Sequence, residues 1–444
     1  MKSGMKPHGV GYKQITLMIL KKISKGFTLH KGITIQTRAK TNTGMEQQTT
    51  LSVQSNFDSG NIEVVSIGEE GDIHLKIRPD PWCETDQANH MQWFHYRVRG
   101  VRGKSLKMSI INAGHASYPT EGWDGYHACA SYDLEHWFRI KTTTYDHHTG
   151  VLSIQHNPES DSVHYAYFAP YTQERHAAFV HKLQTAHMAS GHGVRLRSLG
   201  RTLEGRDIDL ITVGGDAMPT EVEKHVIWII GRQHPGETQA EYFIEGLLER
   251  LVLKPDAVAR KLLSGAIFHV VPNMCPDGSY RGHLRTNAAG VNLNRAWAGP
   301  DPSTCPEVYH TLNRMKETGV DFLLDVHGDE GLPHCFVAGL SGIPRWNSRI
   351  EGLQSEFCDA FMRACPEFQT TYGYPRDAPG KANLNLCSKQ IGQAFDCLSL
   401  TLEMPFKDCA ELPEPLQEWS PERSKALGAG VLHAILETLP KLRY

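Results

Sequence analysis

An imidazole and a carboxylate three residues apart on a loop can share one zinc ion. This sequence spells His-x-x-Glu three times, at His156/Glu159, His234/Glu237 and His327/Glu330. With 24 histidines in the chain the spelling alone decides little, since about one or two such pairs arise by chance. Their settings separate them. His156 lies in the polar stretch Gln155-His-Asn-Pro-Glu159 and is expected in a solvated loop. His234 and His327 each follow a run of β-formers with a glycine close by, and Glu403 follows a third run, Leu398 to Leu402. Open α/β sheets gather their ligand sites at strand carboxyl ends. Taken singly, each residue has a plainer role, as a hydrogen-bonded core histidine or a paired buried carboxylate. Taken jointly, two histidines and one glutamate as ligands, with a further glutamate left free, match an open catalytic zinc site.

A second polar cluster lies between the two histidines: Pro272 to Gly278, then His283-Leu-Arg-Thr286, then Val291-Asn-Leu-Asn-Arg-Ala-Trp297. The planar guanidinium of Arg295 beside the amide of Asn294 suits a carboxylate held by forked hydrogen bonds. In isolation an Asn-Arg pair is more often a helix cap beside a surface arginine.

The elements that must position these residues follow from the pattern. Val226 to Ile230, Ala266 to Val271, Val320 to Val326 and Leu398 to Leu402 read as buried strands. Helices are expected over Thr238 to Leu253, Ala257 to Leu263, Pro306 to Thr318, Asn347 to Cys365 and Ser420 to Leu439, the last with Ser420-Pro421 as cap and first turn. Alternating strands and helices predict an α/β domain with a mixed, largely parallel sheet flanked by helices, over residues 171–444. Tyr171 to Met188 reads as a helix leading into it, and Val194 to Leu199 with Ile208 to Val213 as a hairpin. Before it, Ile62 to Ile67, His74 to Arg78, Trp93 to Val98, Leu106 to Ile111, Trp137 to Thr142 and Tyr165 to Phe168 are short and rich in β-formers. Turn residues separate them, which predicts a smaller antiparallel β-sandwich over residues 50–170.

Composition narrows the function. Hydrophobic residues make 40% and charged residues 21%, as a globular chain with a large core requires. A net charge of −3 argues against nucleic acid as a partner, and no run of apolar residues is long enough for a membrane span. Ten scattered cysteines without a C-x-x-C pair fit free thiols and a cytoplasmic location. Residues 1–49 are basic, with Glu46 the first acidic residue. They read as a disordered arm, or as sequence upstream of a working start at Met45; a transit peptide is the other reading.

The order His234-Pro-Gly-Glu237, Asn294-Arg295, His327, Glu403 resembles the zinc metallocarboxypeptidases of the carboxypeptidase A type. Thr401-Leu-Glu-Met-Pro-Phe406 and pieces of the front region narrow the resemblance to the cytosolic carboxypeptidase branch. Those pieces are Phe57-Asp-Ser-Gly-Asn61, Ile77-Arg-Pro-Asp80, Trp93-Phe-His-Tyr96, Ile111-Asn-Ala113 and Tyr165 to Tyr171. The resemblance spans roughly Phe57 to Leu439. It implies hydrolysis of the last peptide bond of peptides or proteins, with one zinc ion per chain on His234, Glu237 and His327. It implies Glu403 as general base and acid, Arg285 as the arginine polarising the scissile carbonyl, and Asn294 and Arg295 as binders of the terminal carboxylate. Carboxypeptidase A has an arginine where Gly236 stands, so substrate contacts on that side do not carry over. The mobile tyrosine of those enzymes has two candidates here, Tyr372 and Tyr374. Similarity to the branch also implies preference for a terminal glutamate or other acidic residue, with Arg376, Lys381 and Lys389 as the cations of the pocket wall. The plainer reading of those three is solvated loop charge. Two rivals remain: a zinc amidohydrolase of small N-acyl amino acids on the same scaffold, and a protein-binding module with a silent catalytic domain.

Overall fold

The computed structural model describes residues 51–83, 89–190, 193–215 and 223–443. The basic segment expected as an arm, 1–49, lies outside them. Ten short strands form the front sandwich: β1 (Ser52–Gln54), β2 (Glu63–Ile67), β3 (Asp72–Lys76), β4 (His95–Arg99), β5 (Leu106–Ile110), β6 (Cys129–Ser131), β7 (Phe138–Arg139), β8 (Thr143–Asp146), β9 (Val151–His156) and β10 (Ser162–Ala166). One sheet runs β1-β4-β10-β6-β7 and the other β2-β3-β5-β9-β8. Pairing is antiparallel except between β3 and β5, which run parallel. Alternate residues of β3 and β9 turn inward, so Ile73, Leu75, Leu152 and Ile154 are buried while their neighbours face out.

Two expectations for this region need correction. His156 is not in a solvated loop: it closes β9 opposite Leu106, is half-buried, and its Nδ1 meets the Tyr165 hydroxyl at 2.8 Å. The strand expected over Trp137 to Thr142 breaks after Arg139. The buried Arg139 guanidinium is drawn inward by the carbonyls of His127, Phe406 and Trp419, each at 2.8 Å, and the chain resumes as β8.

The helix Gln173–Ser190 leads into a seven-stranded sheet: β11 (Val194–Arg201), β12 (Asp207–Val213), β13 (His225–Gly231), β14 (Ala266–Val271), β15 (Phe322–Val326), β16 (Phe336–Ala338) and β17 (Leu398–Glu403), in the order β11-β12-β14-β13-β15-β17-β16. The four central strands, β14, β13, β15 and β17, are parallel, and β11, β12 and β16 pair antiparallel at the edges. Ile227 and Ile229 of β13 enter one apolar core while Trp228 and Ile230 enter another, because successive side chains leave opposite faces of a strand. Both faces are therefore covered, which explains the unbroken apolar run. The first core also takes in sandwich residues such as Tyr96 and Phe168, so the two regions share buried contacts.

The helix after β13 runs from Gln239 to Leu248 and ends in a wider π-helical turn, Glu249–Leu253. The closing helix Pro421–Thr438 begins as its sequence implied, with the Ser420 hydroxyl accepting from the Arg423 amide at 3.3 Å. No helix among the described residues is long and apolar enough to cross a membrane.

Candidate active site

Register brings the chemistry together. Gly231 lies opposite Val326, and Val326 opposite Leu402, so β13, β15 and β17 end level with one another. His327 and Glu403 then stand side by side, and the His327 amide extends the ladder to the Leu402 carbonyl at 2.8 Å. From β13 the chain must turn sharply. Arg232 makes the turn at φ +55°, a backbone region that non-glycine residues occupy only when held there. Its buried guanidinium holds it, donating to the carbonyls of Pro235 (2.9 Å) and Tyr171 (2.6 Å) and pairing with Glu241.

The turn aims His234 and Glu237 at His327. His234 Nδ1 is 2.6 Å from Glu237 Oε1, His327 Nδ1 is 2.8 Å from Glu237 Oε2, and the two Nδ1 atoms are 3.2 Å apart. Ligand atoms of the three lie within 4.8 Å of one another, all buried. The far ring nitrogens are taken: His234 Nε2 donates to Asn292 Oδ1 at 3.1 Å, and His327 Nε2 lies 3.0 Å from Asp325 Oδ1. Such partners set which nitrogen faces the centre. Asp325 is itself held by Gln233 Nε2 at 2.7 Å, and Gln233 by Trp297 Nε1 at 2.8 Å.

This donor set fits zinc. Two imidazole nitrogens converging on one carboxylate are satisfied by a divalent cation among them. Burial, reinforced by the charge of Arg285, pushes His234 down to about 3, which keeps it in the neutral form a metal requires. His327 goes the other way. Burial opposes its charge, but the carboxylates of Asp325 and Glu237 raise its basicity well above the usual range. The field at the centre therefore favours positive charge. Burial likewise opposes ionisation of Glu237, and the facing rings of His234 and His327 overcome it.

Glu403 closes β17 with its carboxylate buried. The Tyr374 hydroxyl lies 3.2 Å from its Oε1 and 2.6 Å from Asp329 Oδ2. Its Oε2 is buried with no hydrogen-bond partner among the described residues, an orphaned acceptor one strand over from His327. Burial pushes the Glu403 carboxyl well above the usual carboxylate range; the charge of His327 opposes this, and Glu237, Asp329 and Glu330 add to it.

Of the remaining expected residues, Asn294 touches this centre and the charge of Arg285 reaches it. Asn294 lies in a buried turn, Leu293–Arg295, with Nδ2 3.3 Å from His327 Nε2 and Oδ1 accepting from the Cys387 amide at 2.8 Å. Arg295 is exposed, and its Nη1 donates to the Asn294 carbonyl at 2.7 Å. Arg285 donates from Nη1 to the Tyr118 hydroxyl at 3.3 Å. The segment from Tyr374 to Cys387 is tied at one end to Glu403 and at the other to Asn294. Of its cations, Arg376 is exposed and 3.5 Å from Glu351, and Lys381 is exposed. Lys389, on the helix Cys387–Phe395, is buried and donates to Asp377 (2.7 Å) and the Ser341 carbonyl (2.9 Å). Glu330, the acid of the third His-x-x-Glu, is buried outside the ligand group.

Reading the sequence missed Arg232, Asn292, Asp325 and Tyr118. For Asp325 a signal existed, an acid inside an apolar strand. For the others, only position in space marks them.

Comparison with known proteins agrees with this geometry. Residues 53–168 match the model of the cytosolic carboxypeptidase N-terminal domain, and residues 179–329 that of zinc carboxypeptidases. A metallo-carboxypeptidase structure from Burkholderia cenocepacia is 47% identical, with a TM-score of 0.82 over 88% of this chain and 100% of that one. One from Pseudomonas aeruginosa, in complex with (2-guanidinoethylmercapto)succinic acid, is 43% identical, with a TM-score of 0.81 over the same shares. Mouse cytosolic carboxypeptidase 6 is 30% identical over 67% of this chain, which spans 56% of that longer protein.

Proposed function

The chain belongs to the zinc carboxypeptidases that carry a cytosolic carboxypeptidase N-terminal domain, and from that premise we propose how its residues divide the work of hydrolysing the last peptide bond of a peptide or protein. His234, His327 and the Glu237 carboxylate would hold one zinc ion per chain. Zinc bound there supplies a Lewis acid and lowers the pKa of water from about 15.7 toward roughly 7. Glu403 takes the proton of the attacking water on Oε2 and returns it to the leaving amine. The observation that carries this reading is that orphaned, buried oxygen at the strand end beside the His234–Glu237–His327 group. A carboxyl held above the usual range by burial suits both halves of the task. Arg285 stabilises the negative charge that develops on the scissile carbonyl. Arg295 and Asn294 receive the free terminal carboxylate, which leaves only the last bond within reach of the centre. Tyr374, already on Glu403, is the mobile tyrosine of this chain.

For the released residue, the reading carried over from the branch is an acidic side chain, above all glutamate. The wall runs from Tyr374 to Lys389; Lys381 and Arg376 are its exposed cations, the latter 3.5 Å from Glu351, while Asp377 takes the charge of Lys389. A second reading, a basic terminal residue, has its own support. The Pseudomonas relative was solved with a guanidino-bearing succinic acid.

Residues 50–170 serve as front domain and 171–444 as catalytic domain, a division supported by the switch to parallel pairing after the helix Gln173–Ser190. Ten free cysteines support a cytoplasmic location. The test is elemental zinc analysis with digestion of matched peptides ending in Glu, Lys or Leu, by the wild type and by Glu403→Gln. Fastest release of Glu supports the acidic reading and of Lys the basic one, whereas fastest release of Leu ends both. Loss of N-acyl amino acids without peptide cleavage would instead return the amidohydrolase reading.

A further inference from the structure

Asp80 belongs to the front sandwich, yet its carboxylate is spent on the catalytic side. Its Oδ1 accepts from the Leu284 amide at 2.7 Å. Its Oδ2 accepts from the amides of Arg285 (2.8 Å) and Thr286 (2.9 Å) and from the Thr286 hydroxyl (3.1 Å). Three successive backbone N–H groups converging on one buried carboxylate form an anion-binding nest, here filled from within the chain. Charge-assisted bonds of this kind are about twice as strong as neutral ones. The backbone on both sides of Arg285 is thus fixed by one front-domain side chain.

Two further contacts extend the same grip. The Leu284 carbonyl accepts from the Gly236 amide at 2.9 Å, so the residue that Asp80 holds also touches the loop between His234 and Glu237. Beyond Arg285 the chain passes directly beneath the front domain at Gly290, at φ +75°, where a Cβ would lie 2.1 Å from the Trp82 carbonyl oxygen. Near its tip, the Arg285 guanidinium meets Tyr118, again a front-domain residue. Front-domain side chains thus hold the arginine at both its backbone and its guanidinium.

We propose that Asp80 is a positioning residue for the hydrolytic reaction: it sets where Arg285 stands relative to the metal-binding loop, and through it the front domain governs turnover. This rests on the role given to Arg285 above. It accounts for Ile77-Arg-Pro-Asp80, a motif that the hydrolytic machinery alone leaves unused.

The experiment is a double-mutant cycle on the full chain with Asp80→Asn, Arg285→Ala and both together. The readouts are kcat and KM on one peptide, zinc content and thermal unfolding. Asn keeps the shape and one oxygen but loses the charge and half of the acceptor set. Asp80→Asn is expected to lower kcat by about tenfold or more, since small misplacements of a group acting on the reacting bond are that costly, with KM and zinc content close to wild type. Adding it to Arg285→Ala should then cost little more, because there is no guanidinium left to misplace. Tyr118→Phe removes only the side-chain tether and should lower kcat in the same direction, which keeps the idea testable if Asp80→Asn does not fold. The proposal is overturned if Arg285→Ala lowers kcat while Asp80→Asn and Tyr118→Phe do not. It is also overturned if the losses of Asp80→Asn and Arg285→Ala multiply. If Arg285→Ala itself keeps wild-type kcat, the role of the arginine has failed and the positioning role falls with it.

Discussion

Gly236 and Leu284 meet backbone to backbone: the Gly236 amide donates to the Leu284 carbonyl at 2.9 Å, and a Cβ on Gly236 would sit 2.9 Å from that same oxygen. It would also lie 3.1 Å from Leu284 Cδ1. The glycine that departs from carboxypeptidase A is therefore required by packing. A side chain there would push the His234–Glu237 loop and the Arg285 segment apart.

Gly236→Ala should accordingly destabilise the protein by about 1–3 kcal/mol, the usual cost of overpacking a tight contact. It should also lower kcat, because the loop carrying the ligands and the segment carrying Arg285 are no longer held at the same spacing. Denaturant unfolding beside steady-state kinetics checks both. A variant as stable and as active as wild type would mean that the contact is slack.

Glu403→Gln keeps the size of the side chain and one oxygen but cannot take a proton. Zinc content should stay at the wild-type level while kcat falls by roughly 10²–10⁴. Normal turnover by the purified variant would remove Glu403 from the proton-transfer role.

Asp325→Asn leaves His234, Glu237 and His327 in place but weakens the carboxylate behind His327. The zinc dissociation constant should rise by about 10–100-fold, read by competition with a coloured chelator. His327→Ala should abolish zinc binding altogether. Unchanged zinc content in His327→Ala would strike that residue from the ligand set.

His176, on the helix Gln173–Ser190, bridges Glu241 (2.8 Å) and Asp209 (3.1 Å). Burial opposes its charge, but the two carboxylates raise it from 6.5 to about 9. The folded state thus binds the proton more tightly than the unfolded chain does. The stability this contributes is present in full below about pH 6.5 and is lost as pH rises through about 9. Melting temperature measured from pH 6 to 10 should decline more steeply for wild type than for His176→Gln. Parallel curves would show that the bridge carries no net proton linkage.

Much of this architecture was legible because the signals are local. Val226 to Ile230, Val320 to Val326 and Leu398 to Leu402 read as strands from their runs of β-formers, and each holds one, the second beginning two residues later than expected, at Phe322. Strand Phe336–Ala338 and helices Pro276–Arg281 and Cys387–Phe395 were not legible. Three residues are too few to show a period, Pro276–Arg281 has few apolar residues to mark a face, and Cys387–Phe395 is a short window for the face that Cys387, Ile391 and Phe395 mark. His156 was misplaced for a related reason. Its neighbours Asn157 and Pro158 signal a turn, but they begin just after the strand ends.

By itself the sequence determined which residue types were on offer, and that His234, Glu237, His327 and Glu403 stand at or just after strand ends, since a strand end is written in the residues just before it. Only the tertiary structure decided that those strand ends are level, with Gly231, Val326 and Leu402 in one register, because pairing joins segments far apart in the chain. It also decided how the cations are used. Lys389 and Arg376 look alike in the sequence, but one is buried on Asp377 while the other lies in solvent near Glu351. Nor could the chain order disclose that Asp80 answers three amides some two hundred residues away. A carboxylate's partners are set by distance in space, and chain separation says nothing about that distance until the fold is formed.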